Sequence, residues 1–147
     1  MRKEVLSEVM LTLLLLAMLE LVSNIQLVEG KSKTWTVNKD PTGDFHTIQD
    51  AINAASPGDT VNVSRGTYYE HLLINKPIQL LGEDKYNTVI DGNSYGTLIT
   101  VYSHNVTVSG FTLRNAGKSW PTPHHYNKPD CTVWVYSCDF ANISDNI

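Results

Sequence analysis

The sequence predicts an all-β fold, a right-handed, single-stranded parallel β-helix closed at its start by a short helix. Three observations carry that expectation. A short strand, a Gly-Asp-Phe turn and an amphipathic helix follow one another over residues 34–55. From residue 60 onward, short apolar strands alternate with turns of Gly, Asn, Asp and Ser. Two five-residue segments then recur further along the chain at offsets of 28 and 34 residues.

Met1–Gly30 reads as a segment apart from the fold. Arg2 and Lys3 give a positive start, Leu11–Val22 is apolar except for Glu20, and Val28-Glu29-Gly30 precedes Lys31. That is the layout of a secretory signal, with an uncleaved N-terminal anchor as the other reading. The apolar run falls short of the about 20 residues that a membrane span needs. Residues 31–147 are then the cap and first coils of the solenoid, placed outside the cytoplasm by either reading.

The helix is expected over about residues 47–55. Thr47 caps it, with Asp50 three residues on. Ile48, Ala51, Ile52 and Ala55 share one face. The first coil of a solenoid has no neighbour on one side, so this face is expected to plug its open apolar cross-section. Pro57-Gly58-Asp59 stops the helix.

Strands are expected at Val61–Val63, Leu72–Ile74, Ile78–Leu81, Thr88–Asp91, Leu98–Val101, Val106–Val108 and Phe111–Leu113. They are too short and too closely spaced for intervening helices. Antiparallel hairpins stay open on this pattern alone, and the repeats argue against them. Ile78-Gln79-Leu80-Leu81-Gly82 matches Val106-Thr107-Val108-Ser109-Gly110, and Ile99-Thr100-Val101-Tyr102-Ser103 matches Val133-Trp134-Val135-Tyr136-Ser137. Each offset suits one coil of a three-sided solenoid, whose strands stack ~4.8 Å apart. The second is longer because Lys118–Asp130 bulges out as a loop. Ala141–Ile147 reads as the middle of a coil, with Ile147 expected where Phe111 sits one coil earlier. The chain is therefore expected to be the first part of a longer protein.

Composition excludes little. The hydrophobic fraction is 41%, the charged fraction 18% and the net charge -4. With no basic run after residue 3, a nucleic-acid partner is not expected. The two cysteines are Cys131 and Cys138. An extended Thr132–Tyr136 between them separates their Cα atoms by about 20 Å. A disulfide needs about 4.4–6.8 Å, so none is expected between them.

Lys39–Ala55 resembles the opening of pectin methylesterases, which begin with a Gly-Asp-Phe-x-Thr-Ile-Gln-x-Ala-Ile pattern. Gly66-Thr67-Tyr68-Tyr69-Glu70 and Leu113-Arg114-Asn115-Ala116-Gly117 resemble later turns of that family. Gln49-Asp50-Ala51-Ile52, Ile90-Asp91-Gly92 and Ser109-Gly110-Phe111 resemble the wider pectin-lyase-like superfamily. That superfamily includes the NosD-like proteins of prokaryotic envelopes, often described as periplasmic copper-binding. These are scaffold motifs, so the resemblance implies a fold more than an activity. At the place of the esterases' Gln-Ala-x-Ala-Leu segment this chain has Asp130-Cys131-Thr132-Val133-Trp134. No catalytic residue carries over, and any active site would lie in further coils.

The chemistry candidates separate in the same way. Asp91, Asp130 and Asp139 read as turn residues, with no converging pair of the kind polysaccharide hydrolysis uses. His104, His124, His125, Cys131 and Cys138 show no His-x-His or Cys-x-x-Cys spacing, so no metal site and no cofactor is expected. Aromatics are the better clue. If Val133 and Val135 face the core, Trp134 and Tyr136 face out, and Tyr102 does so one coil earlier. With Trp120 in the neighbouring loop they form a candidate sugar-stacking surface, unless the loop folds over it. Asn62-Val63-Ser64, Asn105-Val106-Thr107 and Asn142-Ile143-Ser144 are glycosylation sequons. The expected function is a secreted or surface-attached module that binds polysaccharide or cell-surface glycan. The alternatives are a pectinesterase-like or lyase-like enzyme with its active site in further coils, and a NosD-like metal-delivery protein.

Overall fold

The computed structural model describes residues 10–17, 30–117, 131–136 and 139–147. The chain divides into a unit of residues 1–31 and a unit of residues 32–147. In the first, residues 10–17 are helical with exposed side chains. Among the described residues no helix is long and apolar enough to cross a membrane.

The second unit is built from strands β1 (Thr34–Val37), β2 (Thr60–Val63), β3 (Gly66–Tyr68), β4 (Leu72–Ile74), β5 (Gln79–Gly82), β6 (Thr88–Asp91), β7 (Ile99–Val101), β8 (Thr107–Ser109), β9 (Thr112–Arg114), β10 (Val133–Val135) and β11 (Asn142–Ser144). One helix, α1 (Ile48–Ala54), interrupts them. The chain visits three sheets in turn. Sheet A runs β1-β2-β5-β8-β11, sheet B β3-β6-β9 and sheet C β4-β7-β10. Every neighbouring pair is parallel. The fold is a right-handed parallel β-helix.

Register follows the repeats. Val135 lies beside Val101, and the Gln79–Thr107 pairing sets Ile78 beside Val106. Ile78, Val101 and Val106 are buried, while Val135, on the edge strand of sheet C, stays 37% exposed. A slip of one residue would turn every apolar side chain of a strand outward, which fixes this register. The shared glycine of the first repeat has a direct cause. A Cβ on Gly82 would sit 2.1 Å from the Gly110 carbonyl oxygen, so the stacked turns meet backbone to backbone.

Two expectations shift. Gly66–Tyr68, read as a turn, is strand β3 beside β6, with Tyr68 buried and its hydroxyl donating to the Ser64 carbonyl. Ile147 falls beside Thr112 rather than Phe111. Its N–H donates to the Phe111 carbonyl, and its own carbonyl accepts from Leu113. The offset of 35 residues that pairs Asn142 with Thr107 holds to residue 147 and places Asn146 against Phe111.

The cap forms as the helix pattern requires. Thr47 accepts the Asp50 N–H, and its hydroxyl donates to the Asp50 carboxylate at 2.6 Å. Ile48, Ala51 and Ile52 are fully buried against the solenoid, where the helix packs on β1, β2 and β4. Burial of each isoleucine contributes about 1.5–3 kcal/mol. The Gly-Asp-Phe turn locks the entry. Gly43 leaves room for Asn38, whose backbone nitrogen would lie 2.6 Å from a Cβ there. Asp44 accepts the Thr36 N–H and hydroxyl, and Phe45 packs on Trp35 with ring centroids 5.4 Å apart.

Candidate functional site

The alternation along β10 places Trp134 on the outer face of sheet C. There it is in register with Thr100 of β7 and, through it, with Leu73 of β4. Tyr102 and Tyr136 follow their strands directly, and the Tyr136 N–H donates to the Val101 carbonyl. The three rings form a closed trio. Tyr102 and Trp134 lie 5.9 Å apart between centroids, Tyr102 and Tyr136 5.6 Å, and Trp134 and Tyr136 5.6 Å. Tilted and edge-on pairs at such distances attract by about 0.5–1.5 kcal/mol each. Tyr102 is 47% and Tyr136 55% exposed, and Trp134 is half-buried between them. The fourth candidate, Trp120, lies outside the described residues, as does the loop 118–130.

The charges nearest β4 in sequence are engaged elsewhere. Glu70 accepts the Ile48 and Gln49 N–H groups with its two oxygens, both at 2.9 Å. Lys76 donates to the carbonyls of Ile52, Asn53 and Ala55 at 3.0, 2.7 and 2.7 Å. On β4 itself the exposed outward residue is Leu73. At the turn beyond the trio, His104 Nδ1 accepts the Asp139 N–H at 2.9 Å. Among the described residues the outward positions of sheet C are thus Leu73, Thr100 and Trp134, flanked by Tyr102 and Tyr136.

The carboxylates serve the scaffold. Asp91, expected as an ordinary turn residue, is buried at the end of β6. It accepts the Asn93 N–H, the Asn115 amide and Arg114 Nε at 2.8 Å. The Asn93 N–H, followed by Asn115 and Arg114, holds its pKa below the usual carboxylate range. Asp59 is also buried and accepts the Lys33 and Ser56 N–H groups and the Trp35 indole. The bonds from Lys33 and Ser56 lead in lowering its pKa. Sequence reasoning missed the roles of Glu70, Asp59 and Arg114. The signal for the last pair was the spacing of Asp91 and Arg114, whose strands stack in register.

Among the described residues no group of three or more His, Cys, Asp or Glu is placed to hold a metal ion. Cys131 is a free thiol that donates to the Val133 carbonyl at 3.3 Å. Cys138, His124, His125 and Asp130 lie outside the described residues.

Known proteins place this architecture. The fold class is that of the three-sheet parallel β-helices, and within it the chain is similar to pectin methylesterases. No family model matches the sequence. It is 31% identical to a probable pectinesterase/pectinesterase inhibitor 23 of Arabidopsis thaliana, over 55% of this chain and 16% of that protein. It is 28% identical to a probable pectinesterase/pectinesterase inhibitor 41 of the same plant, over 76% of this chain and 23% of that protein. The chain thus spans less than a quarter of either relative's length. Its fold matches a pectin methylesterase crystallised in complex with a hexasaccharide. There the TM-score is 0.60 and the identity 22%, covering 77% of this chain and 42% of that one.

Proposed function

We infer that the chain belongs to an exported protein that engages pectin-like polysaccharide, with the outer face of sheet C as its sugar-stacking surface. The Tyr102–Trp134–Tyr136 trio is the observation that carries this reading. Three mutually packed rings from adjacent coils leave two tyrosines about half exposed. Likeness to pectinesterases supports pectin over other glycans as the polymer. It also favours an enzyme over a pure binding module for the whole protein. In that reading the coils described here supply sugar contacts, and ester hydrolysis belongs to residues beyond them.

Affinity electrophoresis of the chain in gels containing pectin or polygalacturonate tests the binding surface. The expected result is retardation in at least one polymer, lost on Trp134→Ala. Migration unaffected by either polymer sinks the reading. Methanol release from pectin is not expected of these coils alone, and its appearance in the same preparations would place ester hydrolysis within them.

A further inference from the structure

We propose that the sheet A side of the solenoid carries N-linked oligosaccharide at Asn62, Asn105 and Asn142, on the sheet and at its entry corner. The inference goes beyond polysaccharide binding and shares with it only the export of the chain.

The sequence holds three Asn-x-Ser/Thr sites, and the fold gathers them. Asn62 projects from the middle of β2 on the exposed face of sheet A, in register between Thr36 and Leu81. Asn142 opens β11, an edge strand of the same sheet, and is exposed. Asn105 lies at the corner that leads from sheet C into β8 of sheet A. It is exposed and has φ of 53°.

The ordinary role for asparagine in such a fold is to tie turns together. Several do so here. Asn38 donates to Thr42, Asn87 to Asp84, Asn115 to Asp91 and Asn146 to the Val108 carbonyl. Asn62, Asn105 and Asn142 make no such side-chain bond among the described residues, so no fold contact accounts for their amides. Two of them also border open space. Asn62 lines a shallow hollow of about 410 Å³ with Thr36, Ser64, Leu81 and Glu83. Asn105 lines another of about 390 Å³ with Pro57, Pro77 and Gln79. Volumes in this range accommodate a small ligand. A first sugar attached at either amide can lie along the protein without displacing a core side chain.

The modification is a group transfer onto each amide. A bond forms between the Asn nitrogen and the anomeric carbon of an oligosaccharide carried on a lipid pyrophosphate. The bond from that carbon to the pyrophosphate oxygen breaks, the lipid pyrophosphate leaves with the electron pair, and one amide proton is lost to base.

The test is secretion of the full chain from yeast, in one arm behind its own first 30 residues alone and in the other behind an added yeast leader. Intact mass is compared before and after peptide N-glycosidase, with release in heavy-oxygen water to mark each modified Asn as Asp. The expected result is label at Asn62, Asn105 and Asn142, with Ser64→Ala, Thr107→Ala and Ser144→Ala each removing one glycan. These variants keep the asparagines and remove the hydroxyl that each sequon requires. A folded, secreted chain unmodified at Asn62 and Asn142 overturns the proposal. Modification in the added-leader arm alone supports the glycan-bearing side and overturns only the export role of residues 1–30.

Discussion

Glu70 and Lys76 stand on either side of β4 and close opposite ends of the same helix. The Glu70 carboxylate accepts the first N–H groups of α1, and the Lys76 ammonium accepts nothing but donates to three carbonyls at its last turn. Each charge also opposes the helix dipole end it meets. A seven-residue helix is marginal by itself. Here one short strand segment holds it from both ends while its apolar face plugs the first coil.

Removing one end of that clamp has a defined cost. Glu70→Ala is expected to destabilise the chain by about 1.5–3 kcal/mol, since it leaves two N–H groups without their charged acceptor. Glu70→Gln should recover part of the loss because its amide oxygen can still accept one of them. Urea unfolding followed by far-ultraviolet circular dichroism reads both. Equal stability of wild type and Glu70→Ala would count against the clamp.

The plug itself makes a larger prediction. Ile52 is fully buried against the first coil. Ile52→Asp should destabilise by on the order of several kcal/mol, as an unpaired buried charge does. Unchanged thermal unfolding of that variant refutes the plug.

Acid should unfold the chain through Asp59 and Asp91. Both pKa values are lowered in the fold, chiefly by the Lys33 N–H on Asp59 and the Asn93 N–H on Asp91. A lowered folded pKa contributes stability above the unfolded value of about 3.9, and that contribution is lost as pH falls through the folded pKa. The melting temperature is therefore expected to drop steeply below about pH 4. Asp59→Asn and Asp91→Asn should each flatten that slope while lowering stability at neutral pH. An unchanged slope in both would show that other carboxylates govern the acid transition.

The solenoid was legible in the sequence because its repeats are spaced by whole coils and each inward residue is apolar. The aromatic trio was legible for the related reason that period-two alternation assigns a side to Trp134 as soon as Val133 and Val135 are placed. Gly66–Tyr68 escaped because a three-residue strand beginning with glycine has too few positions to show a period. The shift at Ile147 escaped because one residue in a turn moves the register without changing the motifs around it. The parts played by Glu70, Asp59 and Asp91 depend in part on partners 21 to 26 residues away, several of them backbone N–H groups. Such donors carry no side-chain signature.

The cysteines give a prediction that follows from strand geometry. Cys131 precedes the extended β10, so Cys138 is expected beyond bonding reach of it. Alkylation without reductant should label both thiols in the monomer. A peptide map linking Cys131 to Cys138 would overturn the extended path between them.

The trio gives the prediction that separates binding from packing. Trp134 contacts both tyrosines, so Trp134→Ala removes two of the three ring pairs. That loss should destabilise folding by about 1–3 kcal/mol at 0.5–1.5 kcal/mol for each pair. A tryptophan buried in the core would instead cost about 3–5 kcal/mol. Tyr136→Ala is the sharper variant, because that ring is 55% exposed and contributes less to the core. If sugars stack on this face, Tyr136→Ala should weaken retention in pectin gels at least tenfold while costing no more than the about 1–3 kcal/mol of its two ring pairs. The reverse outcome, large destabilisation with retention unchanged, would make the trio a packing cluster and move any polysaccharide contact to another face of the solenoid.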